Sequence, residues 1–283
     1  MNVLFVSNST CYYFTDELMG LLKAAGHENV TLALTYYSGC SVKRHHQWLM
    51  EGAKNYQFRV LNQNGLQVYE NTGLEEALSF REWDVISFDN NARSFGSGDV
   101  ETSLAEAEPW FGELYARIRE KCPHARYMWH QVWANEIGYS MAFKMETVAQ
   151  RTRVYEAKKG VMEIMAKTYG MEKVPTGDAW AIIRSEGYDK LCGRIGKGVD
   201  HEGDYYHDGD VGGGQYLNAC VWFEAITGIS VVGNTYRPVY KYQGVEVPLF
   251  SEMTYERLQE AAHEAVLKTS VPLKPSVKQP GRP

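Results

Sequence analysis

Several short stretches of this 283-residue chain carry side chains whose types and spacing could do chemistry. The first is Ser7-Asn8-Ser9-Thr10, which follows directly on the apolar run Val3 to Val6. A hydroxyl at the end of a buried strand, close to a helix N-terminus, is well placed to act as a nucleophile. The same hydroxyls suit a simpler task, since Ser and Thr are preferred helix N-caps. A second stretch is Asp204-Tyr205-Tyr206-His207. In Asp-x-x-His the carboxylate can turn back onto the imidazole, fix its tautomer and stabilise the imidazolium, which leaves the other ring nitrogen free to take a proton from a hydroxyl. Further candidates are Gly39 with its neighbours, Asn90 and Asn91, and His130 beside Trp129 and Trp133.

A rival chemistry lies in the same late segment. His201, Glu202, Asp204, His207, Asp208 and Asp210 bring two imidazoles and several carboxylates within ten positions, a set that could ligate a divalent metal. No second cluster with clear metal-ligand spacing stands elsewhere in the sequence. The five cysteines are scattered, odd in number and without a Cys-x-x-Cys pair, which argues against a disulfide framework and a thiolate zinc site.

The elements that must position these groups follow from periodicity. Val3 to Val6 reads as a strand buried on both faces of a parallel sheet, and Phe14 to Ala25 as an amphipathic helix. Val30 to Tyr36 is a second strand, and Ser41 caps a helix running to about Gly52. Asn62-Gln63-Asn64-Gly65 joins two β-type runs as a hairpin, expected as an excursion beside the main sheet. Thr72 is expected to cap a short helix from Leu74 to Phe80. Trp83 to Phe88 and Arg126 to Trp133 are further strands, and Pro109 is expected in the first turn of a helix reaching Lys121. Helices follow over about 141–169, stopped by Gly170, over an amphipathic Gln215 to Thr227, and from Glu252 to Leu267. Strands alternating with helices give right-handed crossovers and a flavodoxin-like, three-layer α/β/α sandwich around a central parallel sheet. One domain over 1–267 is expected, followed by a Pro- and Lys-rich tail over 268–283 with little to bury.

In their order these pieces resemble the SGNH (GDSL-type) hydrolase superfamily. Ser7-Asn8-Ser9 is similar to its first block and puts Ser9 on the nucleophile. Gly39 in Ser38-Gly39-Cys40-Ser41 matches the second-block glycine, Asp89-Asn90-Asn91-Ala92 the third block, and Asp204 with His207 the Asp-x-x-His block. The third block departs from the pattern at Asp89 and Ala92, and either Asn91 or Asn90 can be the oxyanion donor. A poorly characterised bacterial branch of the superfamily is most similar. It shares Trp129-His130-Gln131-Val132-Trp133, Pro175-Thr176-Gly177-Asp178-Ala179-Trp180 and Gln215-Tyr216-Leu217.

The resemblance implies an SGNH hydrolase fold and a serine-dependent carboxylic ester hydrolase with Ser9, Asp204 and His207 as its triad. Ser9, Gly39 and Asn91 or Asn90 would form the oxyanion hole, and His130 and Trp133 would line the substrate site. No metal or organic cofactor is implied. Aromatics at 13% of residues, 19 of them Tyr, fit a site that stacks sugar rings, so the expected substrate is a small-molecule or glycan ester carrying short acyl groups. A glycan-binding protein without catalysis is the non-enzymatic alternative. A net charge of -6 argues against nucleic acid. No apolar run is long enough to span a bilayer, and no signal-peptide pattern is seen, so a cytoplasmic location is expected.

Overall fold

Val3, Leu4, Phe5 and Val6 are each at most 1% exposed, because the first strand is covered on both faces. In the computed structural model that strand, β1 (Asn2–Val6), lies in the middle of a seven-stranded sheet. The structure describes residues 1–89, 99–135, 137, 146–188, 213–242, 245–247 and 253–269. The remaining strands of the sheet are β2 (Thr31–Tyr36), β3 (Tyr56–Asn62), β4 (Gly65–Thr72), β5 (Val85–Asp89), β6 (Arg126–His130) and β7 (Glu172–Val174), in the order β4-β3-β2-β1-β5-β6-β7. Strands β2, β1, β5, β6 and β7 run parallel, as expected. The Asn-Gly hairpin is no side excursion: β3 pairs antiparallel with β2 and β4 with β3, so it extends the sheet at one edge.

Side-chain alternation along β1 divides the core into two layers. Val3 and Phe5 face α1 (Thr15–Ala24), α6 (Thr176–Ser185), α7 (Gly213–Thr227) and α8 (Tyr255–Thr269). Leu4 and Val6 face α2 (Val42–Glu51), α3 (Leu74–Ser79), α4 (Val100–Lys121) and α5 (Val148–Tyr169). The result is the expected three-layer α/β/α sandwich. A small hairpin, β8 (Tyr240–Tyr242) with β9 (Val245–Val247), forms a separate two-stranded sheet.

Helices α3, α4 and α7 differ from the sequence reading. Ser41 caps α2 as expected, accepting from the Arg44 N–H at 3.3 Å, but Gly73 rather than Thr72 stands at the N-cap of α3, where the Glu76 side chain takes the Gly73 N–H. Pro109 lies inside α4, which starts a full nine residues earlier than its proline suggests, because Asp99 caps Val100 by accepting from the N–H groups of Glu101 and Thr102. Helix α7 is not amphipathic. Thirteen of its fifteen residues are buried, since α1, α6 and α8 all pack on it. The expected disordered tail lies largely outside the described residues.

Candidate active site

The sheet order reverses direction at β1, with β2 on one side and β5 on the other. In open α/β sheets the crevice at such a switch point, at the carboxyl ends of the strands, is where ligands bind. Ser9 sits there. It opens a short 3-10 turn, Ser9–Cys11, capped by Asn8, whose side-chain oxygen accepts from the Thr10 N–H at 3.0 Å. Asn8 therefore performs the capping role open to the serines, and Ser9 is the first residue of the turn, 8% exposed.

Asn8 also ties three strand ends together. Its amide donates to the Cys40 carbonyl at 3.2 Å, beyond β2, and to Asp89 Oδ1 at 3.0 Å, the last residue of β5. Gly39 stands in the exposed turn after β2 with φ +61, a left-handed conformation in which glycine carries no Cβ penalty. The turn closes through the Cys40 N–H to the Tyr37 carbonyl at 3.1 Å.

Asp89, the residue that departs from the family pattern, is turned inward. Its Oδ2 accepts from the hydroxyls of Ser7 and Thr10, the latter at 2.6 Å. Burial works against its charge, while those two hydroxyls favour it, and the carboxyl is held below its ordinary range. The carboxylate is thus met by donors of the β1 turn.

His130 ends β6 and pairs in register with Asp89. Its ring is 1% exposed and lies against Trp222 and Phe14, with centroids 5.2 and 6.4 Å away. The Thr176 hydroxyl donates to the Gln131 carbonyl at 2.6 Å, so its oxygen accepts from His130 Nε2–H at 2.5 Å. That assigns the neutral tautomer with Nδ1 unprotonated, and burial, partly offset by Asp89, lowers the tendency of the ring to charge. Trp133 is fully buried and stacks on Trp180 at 5.9 Å. Both residues expected to line a substrate site are therefore enclosed.

The three segments that mark the bacterial branch lock into one another. Gln131 donates to Asp178 Oδ1 at 2.9 Å and accepts from the Asp178 N–H at 3.2 Å. Asp178 also accepts from Tyr155 and Lys159, each at 3.0 Å, so its carboxylate anchors side chains, and α6 begins at Pro175 without a side-chain cap. A Cβ on Gly177 would meet Gln131 Cδ at 2.9 Å, and one on Gly214 would meet the Trp180 ring at 2.6 Å. Trp180 Nε1–H donates to Asn218 at 2.9 Å.

Asn90, Asn91, Asp204 and His207, and with them the His201–Asp210 cluster, lie outside the described residues. Two features around Ser9 escaped the sequence reading. His45 is 2% exposed and shares a 2.8 Å hydrogen bond with the Tyr56 hydroxyl, while His46 meets Glu113 at 2.7 Å. Burial lowers the His45 pKa to about 4, with Asp89 pulling the other way. Secondly, Tyr12 packs on Tyr13 and Tyr36, each with centroids 4.8 Å apart, on the face of α1, while Tyr37 packs on Trp48 of α2 at 4.8 Å on the other face; both groups are partly exposed.

Among the described residues no helix is long and apolar enough to cross a membrane. No curated protein matches the chain. Of solved structures, one from Slackia heliotrinireducens described as a candidate SGNH hydrolase is 16% identical, covering 80% of this chain and 98% of its own, with a TM-score of 0.47. An acetyl xylan esterase from Geobacillus stearothermophilus is 13% identical over 82% of this chain and 94% of its own, also at 0.47. A DUF4886 protein from Bacteroides uniformis superposes with a TM-score of 0.73 and 24% identity, over 96% of this chain and 97% of its own. It has the same fold across essentially the whole length. The sequence profile of the domain of unknown function DUF4886 matches residues 3–246, and the chain belongs to that family.

Proposed function

We propose that the protein is a serine-dependent carboxylic ester hydrolase that removes short acyl groups from carbohydrates. The observation that carries this reading is the place of Ser9: a hydroxyl at the carboxyl end of the central strand, at the switch point of the sheet, in a capped 3-10 turn. In this reading His207, oriented by Asp204, takes the Ser9 proton as the hydroxyl attacks an ester carbonyl. The N–H groups of Ser9 and Gly39, with the side chain of Asn91 or Asn90, hold the oxyanion. The loss of one such donor typically costs about 10²–10³ in rate. The alcohol leaves with the proton from His207, and water then cleaves the acyl-enzyme. The order of the SGNH-like blocks supports the assignment, and the partly exposed rings of Tyr12, Tyr13 and Tyr36, which follow the Ser9 turn and end β2, support a sugar as the alcohol part. His130 and Trp133, being enclosed, act in this scheme by holding the strand ends in place.

The test is hydrolysis of p-nitrophenyl acetate, p-nitrophenyl butyrate and acetylated xylo-oligosaccharides by the wild type and by Ser9→Ala. Turnover that favours acetyl and disappears in Ser9→Ala is expected. Turnover undiminished in Ser9→Ala would remove Ser9 from the mechanism and shift the chemistry to the His201–Asp210 segment.

A further inference from the structure

Three buried ligand-type atoms from distant parts of the chain converge behind the Ser9 turn. Cys11 Sγ lies 3.7 Å from His130 Nδ1 and 3.9 Å from Asp89 Oδ2, and His130 Nδ1 lies 3.9 Å from Asp89 Oδ2. All three residues are at most 3% exposed. At 3.9 Å the imidazole and carboxylate are too far apart for a direct hydrogen bond. The three atoms surround a common point instead. In a triangle with sides of 3.7, 3.9 and 3.9 Å, that point lies about 2.2 Å from every corner. Zinc binds thiolate at about 2.3 Å, imidazole at about 2.0–2.1 Å and carboxylate at about 2.0–2.2 Å.

We propose that Cys11, Asp89 and His130 form a buried binding site for one divalent ion of the zinc type. The surroundings of the ligands fit this role. A metal-bound histidine donates its other ring N–H to a fixed acceptor, which sets its tautomer. His130 Nε2–H does so to Thr176, itself anchored on the Gln131 carbonyl, and Nδ1 presents its lone pair to the cluster. Ser7 and Thr10 hold the Asp89 carboxylate, and the Thr10 hydroxyl has an alternative partner in Ser7 Oγ at 3.2 Å when Oδ2 turns a lone pair to the ion. On binding, the Cys11 S–H bond breaks, its electron pair forms the metal–sulfur bond and the proton leaves to solvent. The thiolate and carboxylate then balance a 2+ charge, which makes the buried cluster neutral. Three protein ligands leave one tetrahedral position for water or another oxygen donor. The site stands independently of the role of Ser9, so its test does not use ester turnover.

The experiment uses the full chain. Protein expressed with zinc is dialysed and its metal content measured; metal-free protein is then titrated with cobalt(II) and followed in the near ultraviolet. One equivalent of metal per chain and a thiolate-to-cobalt charge-transfer band are expected. Cys11→Ser abolishes the band, and Cys40→Ser keeps it. Thr176→Val retains all three ligands and should weaken cobalt binding about 10–100-fold. This second variant decides the matter if Cys11→Ser does not fold. Absence of stoichiometric binding and of the band in the wild type, or a band that persists in folded Cys11→Ser, overturns the proposal, as does unchanged affinity in Thr176→Val.

Discussion

The side-chain amide of Asn8 donates to Asp89 Oδ1 at 3.0 Å and so joins the ends of the two neighbouring strands β1 and β5. The same carboxylate takes the hydroxyls of Ser7 and Thr10. Removing it takes an acceptor from three buried donors, of which the Thr10 hydroxyl can turn to Ser7 Oγ at 3.2 Å while the Ser7 hydroxyl and one Asn8 amide N–H are left short. Asp89→Ala should therefore destabilise the protein by about 2–4 kcal/mol, while Asp89→Asn, which keeps one acceptor oxygen, should cost less. Urea denaturation midpoints of the two variants check this; equal midpoints for Asp89→Ala and wild type would refute it.

Gly177 leaves no room for a side chain because the Gln131 amide lies across it, held in turn by Asp178. Gly177→Ala should cost about 1–3 kcal/mol through overpacking. The cost should shrink in the background of Gln131→Ala, since the clashing group is gone. Thermal denaturation of the four members of the cycle measures the coupling, and strictly additive losses would count against the contact.

His45 gives a pH signature. Burial holds its pKa at about 4 in the folded chain, against 6.5 when unfolded. Between those values the unfolded chain binds more protons, so stability falls as the pH drops from about 6.5 towards 4. Below about 4 this residue contributes no further loss. The wild type should lose up to about 3 kcal/mol more than His45→Gln on going from neutral pH to the foot of that window. Denaturation curves at both ends of the window test the difference; parallel losses would place the acid sensitivity elsewhere.

Local signals in the sequence were readable because they need no partner from far away. The apolar run of β1, the Ser41 cap, the left-handed Gly52 and Gly170 and the alternation of strand with helix all lie within a few residues of the feature they set. Pro109 misled because a helix can begin well upstream of its proline when a strong cap such as Asp99 is present. The burial of His45 is masked by its polar neighbours Lys43, Arg44 and His46, since its own face turns to Tyr56 on β3. The Trp-His-Gln-x-Trp and Pro-x-Gly-x-Ala-Trp segments looked like functional markers. Their glycine, tryptophans and amides are fixed by packing between segments 38 or more residues apart in sequence. Cys11, Asp89 and His130 could not be joined from sequence, since no periodicity links positions 78 and 119 residues apart.

The central claim is that Ser9 is the nucleophile, and the most direct measurement is covalent labelling with a fluorophosphonate followed by peptide mass mapping. The account predicts one adduct per chain on Ser9, none in Ser9→Ala, and loss of ester turnover in step with labelling. An ester-hydrolysing preparation that takes no label, or that carries it on a residue other than Ser9, would contradict it.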